Sequence, residues 1–412
     1  MAVPDTGSTT SGTEKSREAS RRATLAGTSA TDEVVARLAA IVPSLAKILI
    51  EPDRILNAAN TISAHVVTPA LRSRAFPDSV SASTLALLGQ LSRVPGNQKT
   101  WRKDVADAFN DPRFFSSRPL TVVETYWLPL LRSWALADKE RMPELISRLS
   151  PPTTAGIVFG VGATSARLDA DRKTQLSLRR IALVILATPP DSFGSDMAAI
   201  LDKVTELLAA TPTSSPSSTS RADVYLVMRA LVLRSSPIHL AALWPLITSE
   251  LATSITSTAL PDTDPQSAHH PPPAVLQACK LLDVLLCVAP DDFQLHEWLF
   301  VTDTITAVHR ANTAPPSTAL VDRVSDLLGS ADLVAPPPSA MRRPLIQSPV
   351  HDDALEHRHV LVTQVLRPFF GGLSIAAFEA TYRSGGEEYD AAFCMAGLLA
   401  DLFDERTMVR PL

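Results

Sequence analysis

The chain has little of what builds strands, staples or membrane spans. Only 3 cysteines occur in 412 residues, Cys279, Cys287 and Cys394, too few for a disulfide framework. Cys279 and Cys287 fall on roughly one face of an apolar helical stretch, too far along it to pair. Reduced, buried thiols in a cytosolic compartment are the expectation. Glycine is scarce at 15 against 33 prolines, so the breaks are written in proline. Asn-Gly and Asp-Gly hairpin signals are absent, and Val and Ile come in helical groupings without sustained alternation. No run approaches 18 uncharged apolar residues, because Arg229 and Arg234 interrupt the best candidate. Residues 1–30 lack the apolar core of a secretory signal. A formal net charge of −5 argues against broad nucleic-acid binding, which needs a positive field.

What is present is apolar and helical. At 45% hydrophobic and 20% charged residues, the chain has the balance of an ordinary globular protein, long enough for a large core. Its organising stretch is Tyr225 to Thr302. The block from Leu276 is polar only at Gln277, Lys280 and Asp283, a narrow stripe on a helix otherwise apolar all round. Such a helix must be covered on nearly every side. Charged groups as deep as Arg229 and Arg234 must then pair with acceptors or mark an exposed edge.

Along the chain, residues 1–30 read as a disordered segment. A helical subdomain covers 31–150, with Pro43 predicting a kink or break and Pro129 threatening the helix that carries Trp127 and Trp134. A flexible linker is expected at 151–166, a central helical core at 167–310, a Pro-rich linker at 311–350 and C-terminal helices at 351–412. Low-complexity inserts fall at 211–220, 261–273 and 334–344. The fold class expected is all-α: an irregular HEAT- or armadillo-like solenoid of stacked helix pairs with Pro/Ser-rich insertions. An irregular bundle of several subdomains is the structural alternative.

Chemical motifs are incomplete. Gly160-Val-Gly162-Ala-Thr-Ser165 lacks the third glycine and the Lys of a phosphate loop. His296-Glu297 begins like a zinc-protease helix, but Phe300 stands where the second His belongs. His269-His270 sits in a Pro-rich insert and reads as solvated. Asp352, Asp353, Glu356, His357 and His359 read as a helix start. No nucleophile elbow is present, so no catalytic residue, cofactor or metal is assigned. All 5 tryptophans lie in apolar-periodic segments. Trp244, Leu282, Trp298 and Phe300 are expected in the core. Arg342-Arg343, in a Pro-flanked insert, is the basic pair expected to be free for a membrane or partner.

Several ordered segments resemble the C-terminal region of the Dopey family of Golgi and endosomal trafficking proteins. They are Trp101-Arg-Lys-Asp-Val with Phe109, Asp111-Pro and Phe114-Phe115; Leu178-Arg-Arg-Ile-Ala-Leu183; and Val224-Tyr-Leu with Arg229 and Leu231-Val-Leu-Arg234. Ser236-Pro-Ile-His-Leu240, Leu243-Trp-Pro245, Glu250-Leu251, Ala278-Cys-Lys-Leu-Leu-Asp283 and Phe293-Gln-Leu-His-Glu-Trp298 continue the series. The likeness covers roughly residues 31–310, with a weaker echo at 366–378. It implies a non-enzymatic helical scaffold, peripheral on the cytosolic face of Golgi and endosomal membranes, without a transmembrane segment. It further implies a Mon2-like trafficking protein as partner and a link to a phospholipid flippase. The alternative is a peripheral module binding acidic phospholipid through Arg342 and Arg343. Dopey proteins are several times longer than this chain, so functions of their long N-terminal region are not assigned to it.

Overall fold

Proline shapes some of these helices and ends others. The computed structural model describes residues 30–116, 118–149, 161–209, 220–261, 264–301, 319–329, 341–382 and 388–410. Among them there is no strand, only an isolated bridge between Arg342 and Tyr389. The fold is all-α. It divides into two units: Met1–Phe114 with Val122–Leu130, and Phe115–Thr121 with Leu131–Leu412.

The first unit holds α1 (30–41), α2 (Pro52–Ile62), α3 (Ala82–Leu91) and α4 (Gln98–Asn110). At Pro43 the helical run of α1 gives way to a 3-10 turn, Val42–Ser44, the break that a missing N–H imposes. Ser81 caps α3, its side chain accepting the Thr84 N–H at 3.2 Å. Leu88, Val105 and Phe109 are fully buried, and Phe114 stands edge-on to both Phe109 and Trp127, 5.1 and 4.9 Å between centroids.

Three prolines are accommodated inside helices by one device. Pro69, Pro129 and Pro368 each lie just beyond a five-residue π-turn, at Ser63–Val67, Val123–Trp127 and Val362–Leu366. A proline ring would clash with the carbonyl four residues back. The wider turn relieves that crowding, and the N–H groups of Thr68, Leu128 and Arg367 bond five residues back to Ser63, Val123 and Val362. The helix therefore continues past each proline. Beyond Pro129 it runs on as α5 (Leu128–Ala135), and Trp127 and Trp134 are both buried. In the first unit Asp104 of α4 fastens the π-turn, accepting from Ser63 Oγ at 2.8 Å and Thr68 Oγ1 at 3.0 Å. Burial raises the Asp104 pKa, against the pull of those two hydroxyls.

The second unit contains α6 (Arg141–Ser147), α7 (Val161–Ala187), α8 (Met197–Leu208), α9 (Ser220–Arg234), α10 (Trp244–Thr256) and α11 (Pro272–Val288). Then come α12 (Asp291–Glu297), α13 (Leu320–Leu328), α14 (Arg367–Tyr382) and α15 (Ala391–Leu402). Helices α7, α9 and α11 pack side by side in a row, with α6 on α7, α8 on α9 and α10 on α11. These are stacked helix pairs, the arrangement of a solenoid. The row is covered almost all round: every residue from Ala222 to Val232 in α9 and from Ala274 to Leu285 in α11 is buried. Pro190, Pro237 and Pro290 recur where the three row helices end, a repeat too loose to name from sequence. At the first two of these corners the loops touch. A Cβ on Gly194 would stand 2.5 Å from the His239 ring, so any larger residue there must displace that ring.

The stretch Pro237–Ala259 has a mean hydropathy of 1.2 and the length to cross a membrane. Within this fold its Ile247, Leu251 and Ile255 are buried and α10 packs on α11.

Helix α13 forms within 311–350, where a linker was expected, and packs on α10 and α14. The 261–273 insert also folds, giving a short helix Pro265–His269 and the first turn of α11. His270 is buried instead of solvated, and burial pushes its pKa down to about 3. The expected disordered N-terminus and the insert at 211–220 lie outside the described residues, apart from Ala30 and Ser220. Of the expected linker at 151–166, residues 161–166 are helical and the rest lie outside the described residues.

Candidate functional site: a charged seam beneath the C-terminal helix

Each helix of the buried row carries a cation at its deepest level. Arg179 lies on α7, Arg229 on α9 and Lys280 on α11, all no more than 3% exposed. Burying such groups costs several kcal/mol each unless they are paired and hydrogen-bonded. The partners come from the far end of the chain. Helix α15 packs back onto α7 and α9 and brings Asp401 between two of the cations. Arg229 Nη1 donates to Asp401 Oδ2 at 2.6 Å, and Lys280 Nζ donates to Oδ1 at 2.6 Å.

The rest of the seam is equally specific. Arg229 also reaches Gln277 Oε1 at 2.7 Å. Lys280 also donates to Ser348 Oγ at 2.6 Å, and that hydroxyl donates to Asp401 at 2.9 Å. Arg179 Nε pairs with Asp223 of α9 at 2.7 Å. Its Nη1 donates to the carbonyls of Leu402 and Asp404 at 2.7 and 3.0 Å, and its Nη2 to Thr407 Oγ1 at 2.6 Å. Asp283, the last member of the polar stripe on α11, accepts the backbone N–H of Ile346 at 2.7 Å. The stripe read from the sequence is thus the seat on which the 345–348 segment and α15 dock.

The electrostatics follow from burial and charge. Burial alone would raise the Asp401 pKa, but Lys280 and Arg229 outweigh it and hold the carboxyl at about 2. At Asp283 burial wins, lifting its pKa to about 6 despite the Ile346 and Leu345 amides and the weaker pull of Arg229 and Lys280. Burial also pushes the thiols of Cys279, Cys287 and Cys394 upward, the last to about 11. None is a thiolate at neutral pH, so none is a poised nucleophile. All three are free and buried. Among the described residues no cluster of His, Cys, Asp and Glu is placed to hold a metal ion. What the seam does chemically is clamp helices.

The residues singled out in the sequence fall as follows. Leu282 and Phe300 are at most 1% exposed and Trp244 is 4% exposed, its Nε1 donating to Asp292 Oδ2 at 3.1 Å. Trp298 is a correction: it is 57% exposed. Helix α12 ends at Glu297, and in the turn that follows the indole Nε1 donates to the Leu295 carbonyl at 3.0 Å. Phe300 turns inward instead, stacked on Phe293 with 6.2 Å between centroids. Arg342 and Arg343 lie in a tethered loop, with the Arg343 side chain half-exposed. The backbone of Arg342 bonds to Glu388 and Asp390, while Arg343 pairs with Asp390 at 2.8 Å and lies over the Phe393 ring. Arg229, expected to need an acceptor, has two. The sequence reading missed Ser348 and Asp401, and it missed that Arg179 is buried. Arg179 sits within the Leu178-Arg-Arg-Ile segment, whose apolar flanks mark it as a charge in a buried helix.

Stacked helix pairs whose interior charges serve packing define an all-α protein of helical-repeat type. Comparison with known sequences gives the family. The chain matches the family described as DOP1 C-terminal over residues 5–383. It is 47% identical over 386 residues to Protein dop1 of Emericella nidulans, covering 92% of this chain and 20% of that protein. Protein DOP1 of Saccharomyces cerevisiae is 26% identical over 349 residues, 79% of this chain and 19% of that protein. The DOP1 homolog of Drosophila melanogaster is 27% identical over 338 residues, 72% and 12% respectively. No solved structure matches. The chain belongs to the DOP1 (Dopey) family, and it spans a fifth or less of the length of these relatives.

Proposed function

We propose that this region is a non-enzymatic scaffold of membrane traffic between Golgi and endosomes, held peripherally on the cytosolic face of those membranes. The observation that carries the reading is the DOP1 C-terminal match over residues 5–383 on a stack whose deep charges, Arg179, Arg229, Lys280 and Asp401, are consumed in holding helices together. A rigid interior of this kind leaves the outer faces to neighbours. The partners proposed are a Mon2-like trafficking protein and, through it or beside it, a phospholipid flippase. Lipid binding through Arg342 and Arg343 is the weaker reading, since Arg343 is already paired with Asp390.

The test is affinity capture and imaging of the tagged protein at native level. Enrichment of a Mon2-like protein and colocalisation with Golgi and endosomal markers, both lost on deletion of residues 161–410, support the reading. A diffuse cytosolic signal with no such companion overturns it.

A further inference from the structure

Beyond α15 the chain turns at Glu405–Thr407 and leaves the turn extended at Met408, along one edge of α7. Three side chains of that helix, spaced to share a face, hold it. Arg172 Nη1 donates to the Val409 carbonyl at 2.6 Å. Gln175 Oε1 accepts the Val409 N–H at 2.9 Å, and its Nε2 reaches the Thr407 carbonyl at 3.4 Å. Arg179 takes the Leu402 and Asp404 carbonyls and the Thr407 hydroxyl. Both backbone groups of Val409 are therefore bonded to helix side chains, as they would be to a neighbouring strand. Apart from the Thr407 hydroxyl, every group gripped is main chain, which any extended peptide offers.

The two sides of this contact are unequally built. Gln175 and Arg179 are 0% and 1% exposed, and Arg179 is braced by Asp223. The strap itself buries little, only Met408 between Asp404 and Arg410, and apart from the α7 side chains the ion pair of Arg406 with Asp352 holds it. Few buried apolar groups are a mark of a segment that opens locally. If it leaves, the buried donors of Arg179 and Gln175 lose acceptors, a costly state that favours refilling.

We propose that the edge of α7 formed by Arg172, Gln175 and Arg179 is a docking groove for an extended peptide, with Asp404–Arg410 as its resident ligand. The groove exchanges that ligand for a partner-protein segment in which a hydroxyl residue directly precedes a large apolar one, as Thr407 precedes Met408. Backbone gripping by helix side chains serves any scaffold, so the groove does not depend on which membrane the protein works at.

Two measurements on the intact chain test this. In native-state hydrogen exchange, amides 407–409 are expected to exchange about tenfold or more faster than those of α9, through an opening insensitive to low denaturant. Exchange in step with α9 overturns the proposal. Next, a fluorescent peptide of residues 403–410 is titrated into chain carrying Thr407→Ala and Met408→Asp, whose fold is checked by circular dichroism. Saturable binding is expected, weakened by Arg172→Ala on the chain or by the same two substitutions in the peptide. No uptake up to about 1 mM, weaker than any specific docking, or binding indifferent to Arg172→Ala, overturns it.

Discussion

Replacing Asp401 with Asn is the sharpest perturbation of the seam. The substitution keeps the size and removes the charge, leaving Arg229 and Lys280 buried at 4% and 3% side-chain exposure without a counter-ion. Removing one partner of a buried pair costs about 3–5 kcal/mol, and one carboxylate here serves two cations at 2.6 Å each. The upper half of that range is therefore expected. Because the chain divides into two units, the readout is denaturant-dependent hydrogen exchange of α9 and α11, which reports the second unit alone. The triple variant Asp401→Leu, Arg229→Met and Lys280→Met removes all three charges together. It is expected to recover stability to within about 2 kcal/mol of the parent, since buried charges are replaceable by apolar groups when none is left unpaired. A loss below about 1 kcal/mol for Asp401→Asn, or a triple variant as unstable as the sum of its parts, would refute the reasoning.

Three further outcomes follow from the same geometry. Asp283 titrates at about 6 in the fold against an ordinary 3.8; its raised pKa favours the folded state when protonated, so that contribution is complete below about 4 and lost as pH rises through 6, up to about 3 kcal/mol. Asp283→Asn should flatten urea stability between pH 4 and 7, and an unchanged slope would count against the burial assignment. Asp401 has the opposite sign: its depressed pKa stabilises the fold above about 4, a contribution lost as pH falls toward 2. Leu282→Ala should cost roughly 2–5 kcal/mol, read by the same exchange experiment, whereas Trp298→Ala, on the surface, should stay within about 0.5 kcal/mol.

Periodicity made much of this legible. The narrow stripe of Gln277, Lys280 and Asp283 announced a helix covered on nearly every side, and the all-α class followed from the same pattern. The requirement that Arg229 find an acceptor followed from burial alone. The identity of that acceptor did not, because Asp401 lies far along the chain and one sequence carries no record of which segments meet. Trp298 was misplaced for a local reason: a pattern running from Phe293 to Phe300 assumes one continuous helix, but the helix ends at Glu297. Pro129 read as a threat to its helix because the π-turn that absorbs it leaves no composition signal of its own.

Two neighbouring row helices, α9 and α11, are locked together by one carboxylate from α15. Hydrogen exchange of the intact chain, compared with Asp401→Asn, tests it most directly. The account predicts faster exchange together in α9, α11 and α15. A change confined to α15, with α9 and α11 as protected as before, would contradict it.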